Sequence, residues 1–508
     1  MMLEPAHNTP PAPHDRKDIM TMTPASTEAA NLIGITGETA PRAPRISVIG
    51  TGYLGATHAA AMAEMGFEVV GVDTDQRKVD ALSKGIVPFY EPGLPELLLT
   101  HVQSGRLRFT TDIVEATAFA DVHFVCVGTP QKSTSFAANL SYVEDATRQV
   151  AGNLVRDGLI VGKSTVPVGT AARLRKIVAE AVPAGISAEL VWNPEFLREG
   201  KAVEDTLAPD RLVLGGASAA AEALLREVYA YPISNGTPVL AVDLPTAELV
   251  KVSANAFLAT KISFINAISE VCEAAGADVT LLADALGYDK RIGRQFLNAG
   301  LGFGGGCLPK DIRGLMHRSS ELGAYAAAGL LQQVDEINMG QRQRVIDRAI
   351  EACGGSVLNR RIGVLGVAFK PHTDDVRDSP ALNVAAALQL RGAQVIVYDP
   401  EARGTAERIF PTLGYADTVA DAVTGTDAVL VLTEWPEFID ADAEELGTLV
   451  HTRNVIDGRN CLNATEWSAA GWNVMSIGRA TVRAVHADGD ATTGGDHAGH
   501  RQGALAFG

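Results

Sequence analysis

The 508-residue sequence predicts an α/β protein in which two domains with doubly wound parallel sheets are joined by one long helix. Short apolar runs alternate with helical stretches, once before and once after the middle of the chain. Parallel strands need helical crossover connections, which cover both faces of the sheet. Between these halves, residues 246–276 contain no proline and no internal glycine. They predict one mostly buried helix about 45 Å long.

The strands of both predicted sheets are apolar runs, several of which end in glycine or aspartate. In the first half they are residues 45–50, 67–73, 121–128 and 159–164, and in the second half residues 361–370, 393–399, 427–432 and 454–457. In each half the first strand begins with arginine and the second closes with aspartate. This weak internal repeat predicts a second domain of the same kind.

Composition limits the classes of function. Lysine and arginine number 43 and aspartate and glutamate 60, so the net charge is −17, which disfavours nucleic-acid binding. No apolar run is long enough to span a membrane, and the first residues lack a signal-peptide core, so we expect a cytoplasmic protein without a membrane partner. The five scattered cysteines form no CxxC pair, so neither a disulfide framework nor a metal site is predicted.

The first chemical motif follows the first predicted strand and opens a helix. It consists of Gly50, Thr51, Gly52, Tyr53, Leu54 and Gly55. Together with Asp73 at the end of the next strand, it predicts a Rossmann-like dinucleotide site, in which phosphates meet the helix N-terminus. Asp73 would bind the ribose hydroxyls and repel a 2′-phosphate, which favours NAD over NADP. The alternative is a purely structural glycine turn.

The second motif is a glycine-rich loop, residues 302–311, with the sequence GFGGGCLPKD. Pro309 suits the first turn of a helix, so Cys307 should precede the N-terminus of that helix. The positive end of the helix and Lys310 should lower the pKa of the thiol and make it a nucleophile. The alternative is a small core residue.

Three further features allow two interpretations each. Lys251 and Asn255 share one face of the long helix, where they would need buried partners unless the lysine reaches water. Glu195 and Glu199 would share a face if their segment is helical, and would otherwise be solvated. Residues 369–377 stand where the phosphate turn of the second repeat would lie, and would bind phosphate through side chains or form a solvated loop.

The combination of segments resembles the UDP-glucose/GDP-mannose dehydrogenase family over about residues 44–480. The similar segments are KSTVPVGT (163–170), NPEFLREG (193–200), PDR (209–211), AELVKVSANAFLATKISFIN (247–266), RIG (291–293), the Cys307 loop, residues 370–377, TEWPEF (433–438) and DGRN (457–460). Two departures are Gly306 and Leu308, where the family usually has serine and phenylalanine. Gly306 puts the rigidity of the loop in doubt.

The resemblance implies an NAD-dependent, four-electron oxidation of UDP-glucose to UDP-glucuronate. Cys307 would form a thiohemiacetal and then a thioester, because a thiol turns an aldehyde into a hydride donor and then into a hydrolysable acyl group. The resemblance also implies roles for the neighbouring groups. Lys251 and Asn255 would stabilise an oxyanion, Asp311 and Thr165 would hold a water, and Glu195 would transfer a proton.

The resemblance assigns two sets of binding residues. For the cofactor it adds Lys78, Thr129, Thr165, Glu199, Lys310 and Arg377. For the nucleotide sugar it adds Glu195, Phe196, Leu197, Arg198, Glu199, Lys251, Asn255, Phe296, Leu297, Asn298, Ala299, Gly300, Gly304, Lys370 and Arg459. It further implies a homodimer in which Arg291 reaches the neighbouring subunit's site.

The predicted division of the chain has five segments. Residues 44–245 form the NAD-binding domain, residues 246–345 the helical connector with the cysteine loop and the dimer contacts, and residues 346–483 the nucleotide-sugar-binding domain. Residues 1–43 and 484–508 are expected to be disordered tails. Three alternative functions stay open: oxidation of another nucleotide sugar (GDP-mannose or UDP-N-acetylmannosamine), a two-electron hydroxyacid dehydrogenase, and a non-catalytic nucleotide-sugar sensor.

Overall fold

The computed structural model describes residues 42–484. Apart from residues 42, 43 and 484, the two predicted tails lie outside the described residues. Within the described part of the chain, no helix is long and apolar enough to cross a membrane.

The first sheet has eight strands, four of which match the apolar runs predicted in this half. The strands are Ile46–Ile49 (β1), Val69–Val72 (β2), Leu107–Thr110 (β3), Val122–Val125 (β4), Gly158–Gly162 (β5), Ala188–Trp192 (β6), Leu212–Gly215 (β7) and Val239–Val242 (β8). Their order is β3-β2-β1-β4-β5-β6-β7-β8. The order reverses between β1 and β4, which is where doubly wound sheets bind ligands.

Helices cover both faces of this sheet, so strands such as β1, β2 and β4 are buried along their whole length. The helices are Tyr53–Glu64 (α1), Gln76–Leu82 (α2), Leu94–Gln103 (α3), Ile113–Phe119 (α4), Ser141–Gly152 (α5), Thr170–Ala181 (α6), Ala202–Leu207 (α7), Ala219–Val228 (α8) and Ala230–Ser234 (α9). One feature differs from the predicted all-parallel sheet: β7 pairs antiparallel with β6, and β8 follows β7. The segment between β6 and β7 has only the six-residue α7 and makes no full crossover.

The middle of the chain is helical, as the sequence predicts. Its helices are Leu244–Ala275 (α10), Val279–Gly287 (α11), Leu308–Glu321 (α12) and Tyr325–Ala352 (α13). The Asp243 carboxylate caps α10 by accepting the N–H of Thr246 at 2.7 Å, and Gly276, with φ +72°, ends it. The predicted single long helix is therefore confirmed, and α12 and α13 pack against it.

The second sheet has six parallel strands and contains all four runs predicted in this half. The strands are Arg361–Leu365 (β9), Gln394–Tyr398 (β10), Gly414–Tyr415 (β11), Ala428–Val431 (β12), Asn454–Asp457 (β13) and Asn473–Ser476 (β14). The order β11-β10-β9-β12-β13-β14 repeats that of the first six strands of the other sheet. The helices are Pro380–Leu390 (α14), Arg403–Ile409 (α15), Val419–Val423 (α16), Pro436–Ile439 (α17), Ala443–Leu449 (α18) and Ala464–Ala469 (α19).

Candidate active site

The turn between β1 and α1 has the geometry of a dinucleotide site. Gly50 has φ +88°, which favours glycine. A Cβ on Gly55 would lie 1.8 Å from the carbonyl oxygen of Gly50, so helix and strand could not pack as they do with a side chain there. A Cβ on Gly52 would have no atom within 4 Å, so the space above the helix N-terminus is open. These residues fit an NAD pyrophosphate at the end of α1.

Asp73 follows β2 and lies beside this turn. Its carboxylate accepts the N–H of Thr51 at 3.0 Å, the N–H of Asp75 at 3.1 Å and the Lys78 ammonium at 2.7 Å. Burial disfavours the charged form, but these hydrogen bonds outweigh it and lower the pKa of Asp73. An ionised carboxylate therefore lies beside the glycine turn, with the ammonium of Lys78 against it.

Cys307 is the N-cap residue of α12, as predicted, and Pro309 lies in the first turn. It is exposed, whereas the other four cysteines, Cys126, Cys272, Cys353 and Cys461, are buried or half-buried. The charges of Glu195, Glu199, Asp311 and Lys251 all act on its sulfur. The structure therefore brings the candidate nucleophile together with the predicted charged groups.

The prediction that the pKa of Cys307 is low is wrong for the protein alone. The residue as a whole is exposed, but its sulfur is surrounded by protein atoms, and this desolvation raises the pKa of the thiol to about 12. The carboxylates of Glu195, Asp311 and Glu199 add to the increase, and the charge of Lys251 opposes it. Lys310, which was expected to help, is paired with Asp311 at 2.6 Å. The thiol is therefore protonated before substrate binds.

Buried pairs surround the cysteine. The Lys251 ammonium lies 3.1 Å from Glu195 Oε1, with side chains that are 6% and 12% exposed. Burial would lower the pKa of Lys251, but the negative charges of Glu195 and Asp311 raise it. The Asn255 amide donates to Asp311 at 2.7 Å, which joins α10 to α12. Lys251 and Asn255 therefore have buried partners, and the alternative of a solvated lysine is wrong.

The segment that carries Glu195 and Glu199 is not helical, so these glutamates do not share a helix face. Each has its own partner instead. Glu195 accepts the N–H of Leu197 at 2.7 Å in addition to pairing with Lys251. Glu199 pairs with Arg377 at 3.1 Å, and its carbonyl accepts the ammonium of Lys370. Burial and the charge of Asp375 raise the pKa of Glu199 to about 7, although the positive charges of Arg377 and Lys370 lower it in part.

Between the two glutamates, the side chains point in different directions. The ring of Phe196 lies between two cations, 3.8 Å from the Arg211 guanidinium and 5.7 Å from the Lys251 ammonium. Leu197 is half-buried. Arg198 pairs with Asp205.

Two threonines lie near the cysteine loop. The hydroxyl of Thr129 donates to the carbonyl of Thr165 at 2.7 Å. Thr165, Lys310 and Asp311 line a common surface cavity. Thr165 and Asp311 therefore border the same space, and the prediction that they hold a water stays a prediction.

The second set of predicted substrate residues lies near the second sheet. Leu297 and Ala299 are buried, Phe296 has φ +65°, and a Cβ on Gly300 would meet the carbonyl of Gly458 at 2.6 Å. The Asn298 amide oxygen accepts from Arg294. A Cβ on Gly304 would meet the carbonyl of Asp378 at 2.4 Å.

Two arginines of this set differ in placement. Arg459 donates to the carbonyls of Leu432, Gly302 and Phe369, so it links the cysteine loop to the second domain. Arg291 is 90% exposed, and its salt bridge among the described residues is with Asp289. Gly306 makes room for Arg377, because a Cβ there would lie 2.3 Å from the guanidinium carbon.

Three models of one family match the chain. They are the NAD binding domain at residues 44–233, the central domain at residues 245–340 and the UDP binding domain at residues 363–464. The chain belongs to the UDP-glucose/GDP-mannose dehydrogenase family.

Curated relatives of this family cover most of the chain. UDP-glucose 6-dehydrogenase TuaD of Bacillus subtilis is 44% identical over 86% of this chain and 94% of its own. UDP-glucose 6-dehydrogenase of Rhizobium meliloti is 41% identical over 86% and 99%. These matches confirm the predicted family, the NAD cofactor and the enzyme class, an NAD-dependent nucleotide-sugar dehydrogenase.

Solved structures of the family have the same fold. The UDP-glucose dehydrogenase of Pyrobaculum islandicum matches with a TM-score of 0.80 at 36% identity, over 88% of this chain and 100% of its own. The UDP-D-ManNAc dehydrogenase of Pyrococcus horikoshii matches with a TM-score of 0.75 at 27% identity, over 86% and 99%. Two dinucleotide-type domains joined by a long helix are thus confirmed for this dehydrogenase.

Sequence reasoning missed Glu91 of this dehydrogenase. It is 1% exposed, and its carboxylate accepts the N–H groups of Gly200 at 2.6 Å and Ala202 at 2.7 Å and the hydroxyl of Tyr53. It thereby ties the cofactor turn to the segment that carries Glu199. No spacing in the sequence indicates this contact, since Glu91 and Gly200 are 109 residues apart. Among the described residues, no cluster of histidine, cysteine, aspartate and glutamate is arranged to hold a metal ion.

Proposed function

We propose that this dehydrogenase oxidises UDP-glucose to UDP-glucuronate, with two molecules of NAD reduced per product. The observation that carries the proposal is the placement of Cys307, exposed at the N-terminus of α12 and within the charged group formed by Lys251, Glu195 and Asp311. The substrate is supported by the names of the relatives that cover the chain at 38–44% identity. NAD, when bound at residues 50–55 and Asp73, supplies the hydride acceptor for both oxidations.

The first oxidation converts the primary alcohol to an aldehyde, with loss of one hydride and one proton. The Lys251 ammonium is placed to donate a hydrogen bond to the developing alkoxide. Glu195 lies 3.1 Å from that ammonium and accepts the proton that the alcohol loses. Because the pair is nearly buried, its charges are screened little by water.

The second stage uses the sulfur. The Cys307 thiol adds to the aldehyde carbon, and its proton goes to the aldehyde oxygen, so the thiohemiacetal forms without net proton release. This addition suits a thiol whose pKa is about 12, since no free thiolate has to accumulate. Loss of the second hydride and the hydroxyl proton leaves a thioester on Cys307.

Hydrolysis completes the cycle. Thr165 and Asp311, which line one cavity, would hold the water that attacks the thioester carbon. Asn255 donates to Asp311 at 2.7 Å and so fixes the carboxylate that orients this water. The sulfur leaves as the thiol, and the acid product carries one oxygen from water.

The test is NADH production at limiting UDP-glucose with excess NAD. We expect two NADH per UDP-glucose consumed, and no acid product from Cys307→Ala. Cys353→Ala, in the core of the second domain, is the matched control and should retain the stoichiometry. One NADH per substrate, unaffected by Cys307→Ala, would instead support a two-electron dehydrogenase, and binding without any NADH would support a sensor.

The second candidate is the same reaction on another nucleotide sugar. The fold similarity to the UDP-D-ManNAc dehydrogenase of Pyrococcus horikoshii favours keeping it. Turnover on UDP-glucose, GDP-mannose and UDP-N-acetylmannosamine under equal conditions distinguishes the two. A higher kcat/KM with an N-acetylated sugar than with UDP-glucose would overturn the first assignment.

We also propose a homodimer built on α10. Leu249, Phe257, Phe264 and Val271 are exposed on this helix at spacings of eight, seven and seven residues, so they form one apolar face. Arg291, whose side chain is exposed, would reach the partner's site. Mixing inactive Arg291→Ala and Cys307→Ala proteins should restore activity, because mixed dimers contain one intact site, and no restoration would count against a shared site.

A cytoplasmic location completes the proposal. All five cysteines are free, and the exposed thiol of Cys307 must stay reduced to act. Reducing compartments preserve such thiols. Cell fractionation with an antibody to the protein tests this, and recovery only outside the cytoplasm would contradict it.

A further inference from the structure

Lys163 is a buried lysine that the mechanism above does not use. It follows β5 and is 6% exposed. Its ammonium donates to the side-chain oxygen of Asn193 at 3.1 Å and to the hydroxyl of Tyr229 at 3.3 Å, and it lies 5.8 Å from the centre of the Phe124 ring. Within residues 42–484 it has no carboxylate partner closer than 4.0 Å. Burying a cation without a counter-charge is costly, so a packing role alone does not explain it.

Lys163 donates to Asn193, an uncharged residue at the start of residues 193–200, the segment that carries Glu195. Asn193 is 1% exposed, and its side-chain oxygen also accepts the hydroxyl of Tyr229 at 2.6 Å. Its side-chain amide donates to the carbonyl of Val213 at 2.9 Å. Glu195 follows two residues later, after Pro194, whose ring restricts the backbone. Fixing the Asn193 side chain therefore fixes the start of the segment that presents Glu195.

The charge of Lys163 also reaches Glu195. The two groups attract each other, so Glu195 is attracted both by Lys251, at 3.1 Å, and by Lys163. The remaining titratable groups that face Lys163 are His58 on α1, Cys126 after β4 and Tyr229 after α8.

These other groups are uncharged at neutral pH. Burial and the charge of Lys163 lower the pKa of His58 well below its usual value, and neither of its ring nitrogens has a hydrogen-bond partner among the described residues. Burial raises the pKa of Cys126 to about 12 and that of Tyr229 well above 10. Lys163 is therefore the group in this cluster whose charge can change near neutral pH.

We propose that Lys163 is a positioning residue for the oxidation: its ammonium holds Asn193, and its charge helps to keep Glu195 in place against Lys251. This inference rests on the role proposed above for Glu195. Burial lowers the pKa of Lys163 to about 8, while the charge of Glu195 opposes the decrease. The ammonium is thus present at pH 7 and is lost as the pH rises through about 8.

The test compares Lys163→Met with Tyr229→Phe over a range of pH. Lys163→Met should lower kcat about 10- to 100-fold at pH 7, as expected for a displaced catalytic group, and leave the dissociation constant of NAD unchanged. The ratio of wild-type kcat to Lys163→Met kcat should fall towards one above pH 8, because the wild type then loses the ammonium charge that the variant already lacks. Tyr229→Phe removes the hydrogen bonds of this hydroxyl with the Asn193 oxygen and with the ammonium but keeps the lysine, so at pH 7 it should lower kcat less than Lys163→Met does.

An unchanged kcat in Lys163→Met, or a wild-type to variant ratio that does not vary with pH, would overturn the proposal. If Lys163→Met does not fold, Asn193→Asp is the second variant, because it gives the lysine a counter-charge. In this variant the alkaline decrease of kcat should occur at a higher pH than in the wild type. An alkaline decrease of kcat at the same pH as in the wild type would also overturn the proposal. If the proposed function itself is wrong, the wild type will form no NADH with UDP-glucose, which distinguishes that failure from failure of the Lys163 proposal. Full activity in Glu195→Gln would reject only the role given to Glu195.

Discussion

Replacing Lys251 with methionine removes one charge of a buried pair and keeps a side chain of similar length. The partner carboxylate of Glu195, 12% exposed, is then left with the N–H of Leu197 as its hydrogen bond. Removing one partner of a buried pair costs about 3–5 kcal/mol, and we expect the lower end, because this N–H compensates in part. The lost donor to the developing alkoxide should lower kcat about 100- to 1,000-fold.

Urea unfolding and initial-rate kinetics with UDP-glucose and NAD measure the two effects. Lys251→Met should lower the free energy of unfolding by about 3 kcal/mol. Adding Glu195→Gln should recover part of that loss, since the unpaired charge is then removed. Lys176→Met, on the exposed side of α6, is the control, and should stay within about 0.5 kcal/mol with kcat unchanged. A Lys251→Met protein with wild-type kcat would refute the role given to this ammonium.

Three further predictions follow from the site. Burial raises the pKa of Cys307 to about 12, so the rate at which iodoacetamide alkylates this thiol should still be increasing at about pH 10. Mass spectrometry measures this rate, and a plateau near neutral pH would contradict the charge arrangement. Asp73→Ala should weaken NAD binding about tenfold in a titration and improve NADP binding, since Lys78 is then free for a 2′-phosphate, whereas unchanged selectivity would reject the ribose role. Gly306→Ser should raise the KM for NAD, because a Cβ at this position would lie 2.3 Å from the guanidinium carbon of Arg377 and would displace that side chain. An unchanged KM would show that this contact is unimportant.

The parts of the fold and site that the sequence predicts are those with local signals. The turn at residues 50–55 and the aspartate after the next strand lie within one β-α-β unit, so their spacing is informative. Cys307 precedes a helix that begins with Leu308 and Pro309, and this order predicts its N-cap position. Lys251 and Asn255 lie one turn apart on α10, which places both on the same face.

The parts that the sequence does not predict depend on residues far apart in the chain. The pKa of Cys307 is raised partly by glutamates of residues 193–200, more than 100 positions earlier, and no local pattern indicates that they converge on the thiol. Glu91 binds the N–H of Gly200 across 109 positions, and Lys163 meets the hydroxyl of Tyr229 across 66. The antiparallel β7 escapes prediction for the same reason, since strand direction is set by tertiary pairing.

The most direct test of a covalent route through Cys307 is to trap the thioester. Asp311→Asn keeps the shape of the side chain but weakens its hold on the attacking water, so hydrolysis should slow relative to the oxidations. Incubation of this variant with UDP-glucose and NAD, followed by digestion and mass spectrometry, should show an acyl adduct on the peptide that contains Cys307. The adduct should be absent in Cys307→Ala/Asp311→Asn. Steady formation of NADH and acid by a protein that never carries an adduct on Cys307, or that carries it on another residue, would contradict the account.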